Sequence, residues 1–324
     1  MPGYVLRRLA MSAATLLVIT AILYGAIRSL PGEPGGGAEE SDRWLRETHA
    51  QDSIPAGYLR WLADVARGDF GASLSVQPGR PVMELVAETL PFTLALGALS
   101  LLLTLGLAVP LGVMSAGRPD TVPARAGAGM LYALHALPVF CVALALQHLV
   151  AGGLGWLPPI GAGPLDPPAS PAAGLLARVP YWILPTVAIT LGSLAFVIRL
   201  CRAGVLAGLR QDYVKAARAR GAGESRVLWV HALSGGAVPL ITLCGLMLPG
   251  IVSGSVLVET IFALPGVGRL FFTAAARRDY PLLMGIALLT AAATLAASHL
   301  ADALYRAADP RVGGEQAAAD GEAV

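Results

Sequence analysis

The stretch TLPFTLALGALSLLLTLGLAVPLGVMSAG, residues 89–117, has 29 residues and no charged side chain. A helix needs about 20 predominantly apolar residues to cross the hydrocarbon core of a bilayer. Five further uncharged stretches meet or approach this length: Leu9–Ile27, Ala126–Leu165 with its apolar part ending near Leu157, Val179–Ile198, Val227–Val258 and Tyr280–Ala301. All are continuously apolar, whereas membrane β-barrel strands alternate in short segments. We therefore predict an all-α polytopic membrane protein with six transmembrane helices.

The composition supports this class. Of the 324 residues, 55% are hydrophobic and 14% are charged, whereas about 25% of the residues in soluble domains are charged. An ordinary soluble enzyme is thereby excluded. Arg7 and Arg8 precede the first stretch as in a secretory signal, but its 19 uncharged residues exceed the roughly 7–15 of a signal's apolar region. We expect this stretch to be a retained helix.

The distribution of charge predicts the topology. Lys and Arg are in excess in cytoplasmic loops, and the most basic loop of the chain has seven of them between Arg199 and Arg226. With that loop inside, the cytoplasmic segments carry 13 basic and 8 acidic residues, and the external ones carry 10 basic and 13 acidic. We therefore predict that both termini are cytoplasmic.

The chain divides into four predicted segments. Residues 1–30 form the cytoplasmic N-terminus and first helix, and 31–88 form an external loop with short amphipathic helices. Residues 89–305 form a five-helix transmembrane core that includes the cytoplasmic loop 206–228, and 306–324 form a cytoplasmic tail that is disordered after 312. A helical pattern from Tyr58 to Ala66 predicts an amphipathic helix at the outer membrane surface. We favour the interpretation that this helix only covers the interface and makes no contact with the solute. In the external segment Glu259–Asp279, Leu264–Gly268 predicts a tight turn between short helices.

The sequence has no recognisable catalytic motif. Its single lysine, Lys215, does not belong to a phosphate-binding P-loop, so the chain is not expected to hydrolyse ATP through such a loop. Apart from Tyr and Cys, the ionisable residues within the six stretches are His135, His148, His231 and His299. We interpret them as packed or hydrogen-bonded residues, since none forms a pair at metal-ligand spacing. Cys141, Cys201 and Cys244 predict neither disulfides nor a metal site.

The cytoplasmic loop between the fourth and fifth stretches is the most informative segment. Residues 211–220 contain good helix formers, with Asp212 near the start, Arg218 and Arg220 near the end, and Gly221 just after it. This charge pattern and C-terminal glycine predict a short surface helix. The small side chains of its alanines and its basic charge are compatible with docking of another protein. Contact with anionic lipid is an equally good interpretation.

The segment Tyr213–Gly221 resembles the EAA loop of binding-protein-dependent ABC importer permeases, whose Ala-Ala-x-x-x-Gly core corresponds to Ala216, Ala217 and Gly221. Further segments resemble the dipeptide/oligopeptide/nickel branch of that family: Tyr4–Leu9, Leu30–Pro34, Arg67–Gly71 with Ser73, Gly155–Pro158, Leu257–Phe262, Pro265–Leu270, Arg278–Pro281 and Asp309–Val312. The likeness covers nearly the whole chain in the family's order.

The resemblance implies a type I, MetI-like ABC importer permease fold and a half-channel that pairs with a second, homologous permease. Two cytoplasmic ATPases would dock on the two EAA loops, and an external binding protein would deliver a peptide or similar small solute for uptake across the bacterial inner membrane. ATP and Mg²⁺ would bind to the ATPases, so the resemblance implies no cofactor in this chain. The chain would be embedded in membrane lipids, and no nucleic-acid partner is expected. The predicted docking residues are Asp212, Tyr213, Lys215, Ala216, Ala217, Arg218, Gly221 and Glu224.

Three departures from the family pattern stand out. Lys215 occupies a position where the family usually has Glu, and residues 38–53 are shorter than usual. Ser234-Gly235-Gly236 follows His231-Ala232-Leu233 in place of an Arg-Asn pair, and each glycine costs about 1 kcal/mol in a helix interior. The effect of this departure on the local helix start is open at the level of sequence.

Two points stay open at the level of sequence. Ser253 and Ser255 are the predicted polar residues of a translocation path, although the small-xxx-small pattern of Gly250–Gly254 favours simple helix packing. From the residues alone, an ATP-independent secondary carrier or a membrane scaffold remains the alternative function. The solute is a peptide by default, with nickel chelates, opines or other small solutes open.

Overall fold

The structure is a computed structural model that describes residues 2–29, 52–117, 129, 136–164 and 170–308. Its elements in chain order are α1 (Pro2–Ser29), α2 (Ile54–Ala66), α3 (Val82–Gly117), α4 (Val139–Leu146) with a following π-helical turn (Gln147–Gly153), α5 (Pro171–Leu209), α6 (Asp212–Ala219), α7 (Glu224–Arg226), a second π-helical segment (Val227–Ala232), α8 (Leu233–Ser253), α9 (Val256–Ile261), α10 (Val267–Ala276) and α11 (Tyr280–Ala308). Within these ranges the only β-type pairing is an isolated bridge between Ala72 and Pro81. The all-α prediction is therefore confirmed.

Four helices of the described ranges are long and apolar enough to cross a membrane: Leu6–Ser29, Val82–Gly117, Leu176–Leu209 and Tyr280–Ala303. They coincide with the first, second, fourth and sixth predicted spans. Much of the first half of the third span lies outside the described residues, and its second half is the shorter apolar helix Val139–Gly153. The fifth predicted span corresponds to the π-helical segment Val227–Ala232 and α8, which ends at Ser253 before Gly254 with its φ of +68°.

The start of the fifth span contains the departure from the family pattern at Ser234-Gly235-Gly236. Helical structure begins at Glu224 and continues through Gly235 and Gly236 without interruption. The two glycines lie inside this helical stretch rather than at its start, and its backbone accommodates both of them.

The chain forms two compact units, each built from two separate stretches. The first comprises Met1–Leu94 and Val252–Ala296, and the second comprises Ala95–Ile251 and Ala297–Val324. In the first unit, α2 is the predicted amphipathic helix, and its Trp61 packs in a buried cluster with Tyr24, Tyr280 and Met284. The apolar face of α2 is thus covered by side chains of α1 and α11.

The core of the second unit surrounds α5. Buried residues from α3, α5 and the start of the fifth span form one apolar cluster, which includes Val113, Val197, Cys201, Val205 and Ala232. This core positions the loop between α5 and the fifth span, because the loop leaves from the end of α5 and returns into the π-helical segment.

Candidate functional site: the loop helix α6

The loop contains the predicted surface helix, α6, at Asp212–Ala219. Gly221 follows it with a φ of +82°, the left-handed conformation that glycine adopts without steric cost. The N–H of Ala222 donates to the carbonyl of Ala217 at 3.1 Å, and the N–H of Gly221 donates to that of Arg218 at 2.9 Å. These two bonds form a Schellman motif, so the helix stop predicted from the sequence is confirmed.

The two faces of α6 have different environments. Val214 and Ala217 are buried, with 0% and 2% of their surface exposed. The predicted docking residues Asp212, Tyr213, Lys215, Ala216, Arg218, Gly221 and Glu224 are all exposed. Ala216 and Ala217 therefore do not share an exposed face, because consecutive residues of a helix point about 100° apart. The exposed small residues are Ala216 and Ala219.

Ion pairs hold the exposed surface of the loop. Lys215 Nζ contacts Asp212 Oδ1 at 2.8 Å, one helical turn away. Arg218 binds Glu224 in a bidentate manner, with Nε–Oε1 at 2.9 Å and Nη2–Oε2 at 3.1 Å. Exposed pairs contribute only about 0–1 kcal/mol each, so their main effect is on side-chain orientation. The second pair fixes the end of α6 to the segment that enters the fifth span.

The inner face of the loop is tightly seated on the membrane-spanning helices. Val205 near the end of α5, Val214 of α6, and Val227 and Ala232 of the π-helical segment are all fully buried. At Gly208 the backbone of α5 lies directly against the carbonyl of Ala232, where a Cβ atom has no room. The inner face of α6 is therefore packed against the ends of both spans.

Comparison with known proteins shows the family of the chain. The sequence profile of the family described as binding-protein-dependent transport system inner membrane component matches residues 108–314, which include the whole loop. The chain belongs to this permease family. An importer of this type has ATPase and binding-protein components besides its inner-membrane permease.

Curated relatives match the permease over almost its full length. It is 35% identical to the oligopeptide transport system permease protein AppB of Bacillus subtilis, covering 96% of this chain and 99% of the relative. It is 29% identical to the dipeptide transport system permease protein DppB of Escherichia coli K12, over 95% and 98%. Identity to the oligopeptide transport system permease protein OppB of Salmonella typhimurium is 31%, over 95% and 98%.

A solved structure supports the fold. An inward-facing form of the MetNI methionine ABC transporter superposes with a TM-score of 0.56 at 16% identity, covering 70% of this chain and 97% of that chain. The type I, MetI-like fold implied by the sequence is therefore confirmed.

The predicted path residues are only partly described. Ser255 is half-buried and precedes α9 as its N-cap, with its carbonyl accepting the N–H of Glu259 at 2.9 Å. The side chain of Ser253 lies outside what the structure describes. Their role in a path stays a prediction. Across the described ranges, no group of three or more His, Cys, Asp or Glu side chains could hold a metal ion.

Glu259 is a buried acidic residue to which the sequence assigned no role. It is fully buried, its Oε1 accepts the hydroxyl of Thr93 at 3.0 Å, and its Oε2 accepts the N–H of Arg269 at 3.0 Å. Thr93 in turn accepts the N–H of Val267 at 2.9 Å. The carboxyl group therefore satisfies the otherwise unpaired amides at the start of α10. Burial raises the pKa of Glu259 above its ordinary value.

Three glycines give this carboxyl group its space. A Cβ at Gly254 or Gly268 would lie 2.8 Å from a carboxylate oxygen of Glu259, and one at Gly266 would clash with the same group. Only the absence of a side chain at these positions lets Glu259 reach the helix start. The Pro-Gly-Val-Gly sequence after α9, predicted as a tight turn, is thus also the wall of a buried carboxyl site.

Asp279 forms a second buried acidic centre in the same unit. Its Oδ2 accepts the Ser73 hydroxyl at 2.6 Å and the backbone N–H groups of Leu74, Ser75 and Val76 at 3.0–3.1 Å. It also precedes the last span, whose Leu283 N–H donates to its carbonyl. Two segments that the sequence singled out only by resemblance, around Arg67–Ser73 and Arg278–Pro281, are therefore joined through one carboxylate.

Proposed function

We propose that this chain is the permease subunit of an ATP-driven importer that moves peptides into the cell. It is similar over nearly its full length to permeases named for oligopeptide and dipeptide transport. The observation that carries the proposal is the loop helix α6, which is exposed on one face and locked onto two spans on the other. Such an element suits the transmission of force from a partner to the membrane helices.

The assembly that fits this proposal has four further components. A second, homologous permease completes the channel, and two ATPases dock on the two loop helices and bind ATP and Mg²⁺. An external binding protein delivers the solute. The permease itself performs no chemistry and holds no cofactor, and both of its termini are cytoplasmic. The basic excess in the loop, with Arg218, Arg220 and Arg226 exposed, suits acidic groups on an ATPase.

Reconstitution tests the function directly. The permease, its companion permease, the ATPases and the binding protein are placed in vesicles, and uptake of a labelled di- or oligopeptide is followed. We expect uptake that requires ATP and stops with an ATPase whose hydrolysis is inactivated. Uptake that persists with the inactive ATPase would assign the chain to the secondary carriers. No uptake of any peptide under ATP turnover would reject the peptide class.

The docking role of α6 has its own test. We expect Ala216→Trp to reduce copurification of the ATPases at least tenfold, because it places a large side chain on the exposed face of the helix. Ala63→Trp is the matched control, since Ala63 is an exposed helical alanine of α2 on the predicted external side. Equal recovery of ATPases with both variants would remove α6 from the docking surface.

A further inference from the structure

An apolar groove lies between α3 and α5 in the second unit. It has a volume of about 380 Å³, and its walls include Leu99 and Leu103 of α3 and Trp182 and Ile183 of α5. This volume is in the range of sites that hold small molecules. The transport mechanism proposed above assigns no role to this groove, and none of its lining residues belongs to the loop helix α6.

Two polar groups interrupt the apolar walls. Thr186 is 4% exposed, and its buried hydroxyl has no hydrogen-bond partner in the described parts of the chain. Arg178 lines the groove at the other end, near the start of the span Leu176–Leu209, and is exposed. No ion pair joins it to an acidic residue of the described ranges. A buried hydroxyl without a partner is unfavourable, so both groups favour an occupant that carries acceptors.

We propose that the groove binds an anionic phospholipid, with the phosphate on Arg178, an acyl-ester carbonyl on Thr186 and an acyl chain against Leu99, Leu103 and Ile183. Arg178 and Thr186 are eight residues apart on one helix, about 12 Å along its axis. A phosphate and the ester carbonyl below it bridge this separation when the long Arg178 side chain reaches along the groove. Arginine is well suited to phosphate because its planar fork donates two parallel hydrogen bonds.

The position of the groove in the span agrees with a lipid occupant. Arg178 lies at the end of a membrane-spanning helix, where phospholipid headgroups are found, and Trp182 is one turn deeper, as in an aromatic belt. Apart from Thr186, the walls below these residues are apolar, as an acyl chain requires. A peptide would expose several backbone polar groups to these walls, and Thr186 could pair with only one of them.

Native mass spectrometry of the assembled importer in mild detergent measures the binding. Phosphatidylglycerol and phosphatidylcholine with identical acyl chains are titrated separately. We expect retention of phosphatidylglycerol to exceed that of phosphatidylcholine about tenfold, and Arg178→Gln to abolish this preference. Leu103→Trp, which fills the groove, should lower retention of both lipids at least fivefold, and Thr186→Val should weaken it two- to fivefold.

Two controls isolate the groove. Leu102→Trp places the same bulk one residue away, at a side chain that is 67% exposed, and Arg67→Gln removes an exposed arginine of the first unit. Both should retain lipid as the unsubstituted permease does. If Arg178→Gln and Leu103→Trp also retain it unchanged, the proposal is wrong.

A photo-crosslinker distinguishes the other occupants. Benzoylphenylalanine replaces Ile183, and the assembled importer is irradiated in membranes. A phospholipid adduct supports the proposal. A crosslink to the companion permease would instead make the groove a subunit interface, and a crosslink to a transported peptide would make it part of the solute path. Either of these products in place of the lipid adduct would overturn the lipid assignment.

Discussion

Glu259 shows how one side chain fixes a whole segment of this permease. Its carboxyl group is enclosed by the start of α10, by Thr93 and by three glycines, and it lies outside the predicted spans. A buried carboxyl group is tolerated when its oxygens accept hydrogen bonds. Here the N–H of Arg269 and the hydroxyl of Thr93 supply them.

A methyl group at Gly266 should therefore be costly. We expect Gly266→Ala to lower the free energy of unfolding by about 1–3 kcal/mol, the usual penalty for overpacking, because the new Cβ would clash with the Glu259 carboxyl group. The measurement is thermal unfolding of the purified permease in detergent. Gly25→Ala is the matched control, since nothing lies within 4 Å of a Cβ at this helical position. A similar midpoint for both variants would show that the site relaxes freely.

The raised pKa of Glu259 predicts a pH dependence. Burial favours the protonated form in the folded state, so the folded protein binds its proton more tightly than the unfolded chain. The contribution of Glu259 to stability is then complete below its ordinary pKa of 4.5 and is lost as the pH rises through the higher folded value. The amide group of the Glu259→Gln variant does not bind this proton, so the variant lacks the pH-dependent contribution.

We therefore expect the stability of Glu259→Gln relative to the unsubstituted permease to increase with pH from about 4.5 upward, by roughly 1.4 kcal/mol for each pKa unit of the shift. Unfolding midpoints between pH 4 and pH 8 provide the test. Glu84→Gln, at an exposed position of α3, serves as the control. A difference for Glu259→Gln that stays constant across this range would contradict the raised pKa.

At the scale of elements, the loop helix is short and depends on its end. Eight residues form only about two helical turns, so α6 gains little from propagation. The Schellman motif at Gly221 and the packing of Val214 and Ala217 supply the remaining stability. The stability of α6 therefore depends on its end and its inner face more than on its exposed side chains.

The substitution Gly221→Ala tests the end of α6. A left-handed conformation costs a residue with a Cβ roughly 1–2 kcal/mol, and nothing lies within 4 Å of a Cβ at Gly221, so conformation alone is altered. We expect amide hydrogen exchange in residues 212–222 to accelerate about 5- to 30-fold, with partial rescue by Gly221→Asn. Gly223→Ala, where φ is −64°, should have little effect. Unchanged exchange in Gly221→Ala would show that packing alone holds the helix.

The elements also show which features were predictable. The bounds of α6 followed from local signals, since Asp212, Arg218 and Gly221 act within one or two turns. Its buried face did not, because the packing of Ala217 depends on segments that fold against it. The role of Glu259 was not predictable either, since Thr93 lies 166 residues away in the sequence. The resemblance pointed to the right glycines without giving their physical reason.

At the scale of the whole molecule, charge is sorted by side of the membrane. The net charge of the chain is +2, yet the predicted cytoplasmic segments are basic and the predicted external ones are acidic. The composition alone conceals this asymmetry. The asymmetry of charge predicts an orientation in which α6 is cytoplasmic and α2 is external.

Single cysteines test that orientation. After replacement of Cys141, Cys201 and Cys244, one cysteine is introduced at the exposed position Ser225 or Ala63. We expect a membrane-impermeant maleimide to label Ala63→Cys in intact cells and Ser225→Cys only in inverted vesicles. The opposite labelling pattern would invert the predicted topology. Labelling of both positions from the same side would contradict the odd number of spans predicted between them.

The contact at Gly208 bears on how the permease moves. There the end of α5 lies against the carbonyl of Ala232 with no side chain between the two backbones, and densely packed interiors have little compressibility. We therefore expect the two span ends to move together when α6 is displaced, instead of sliding past each other. A larger side chain at Gly208 would separate the two span ends. We expect it to weaken this joint movement even when every residue that contacts a partner is unchanged.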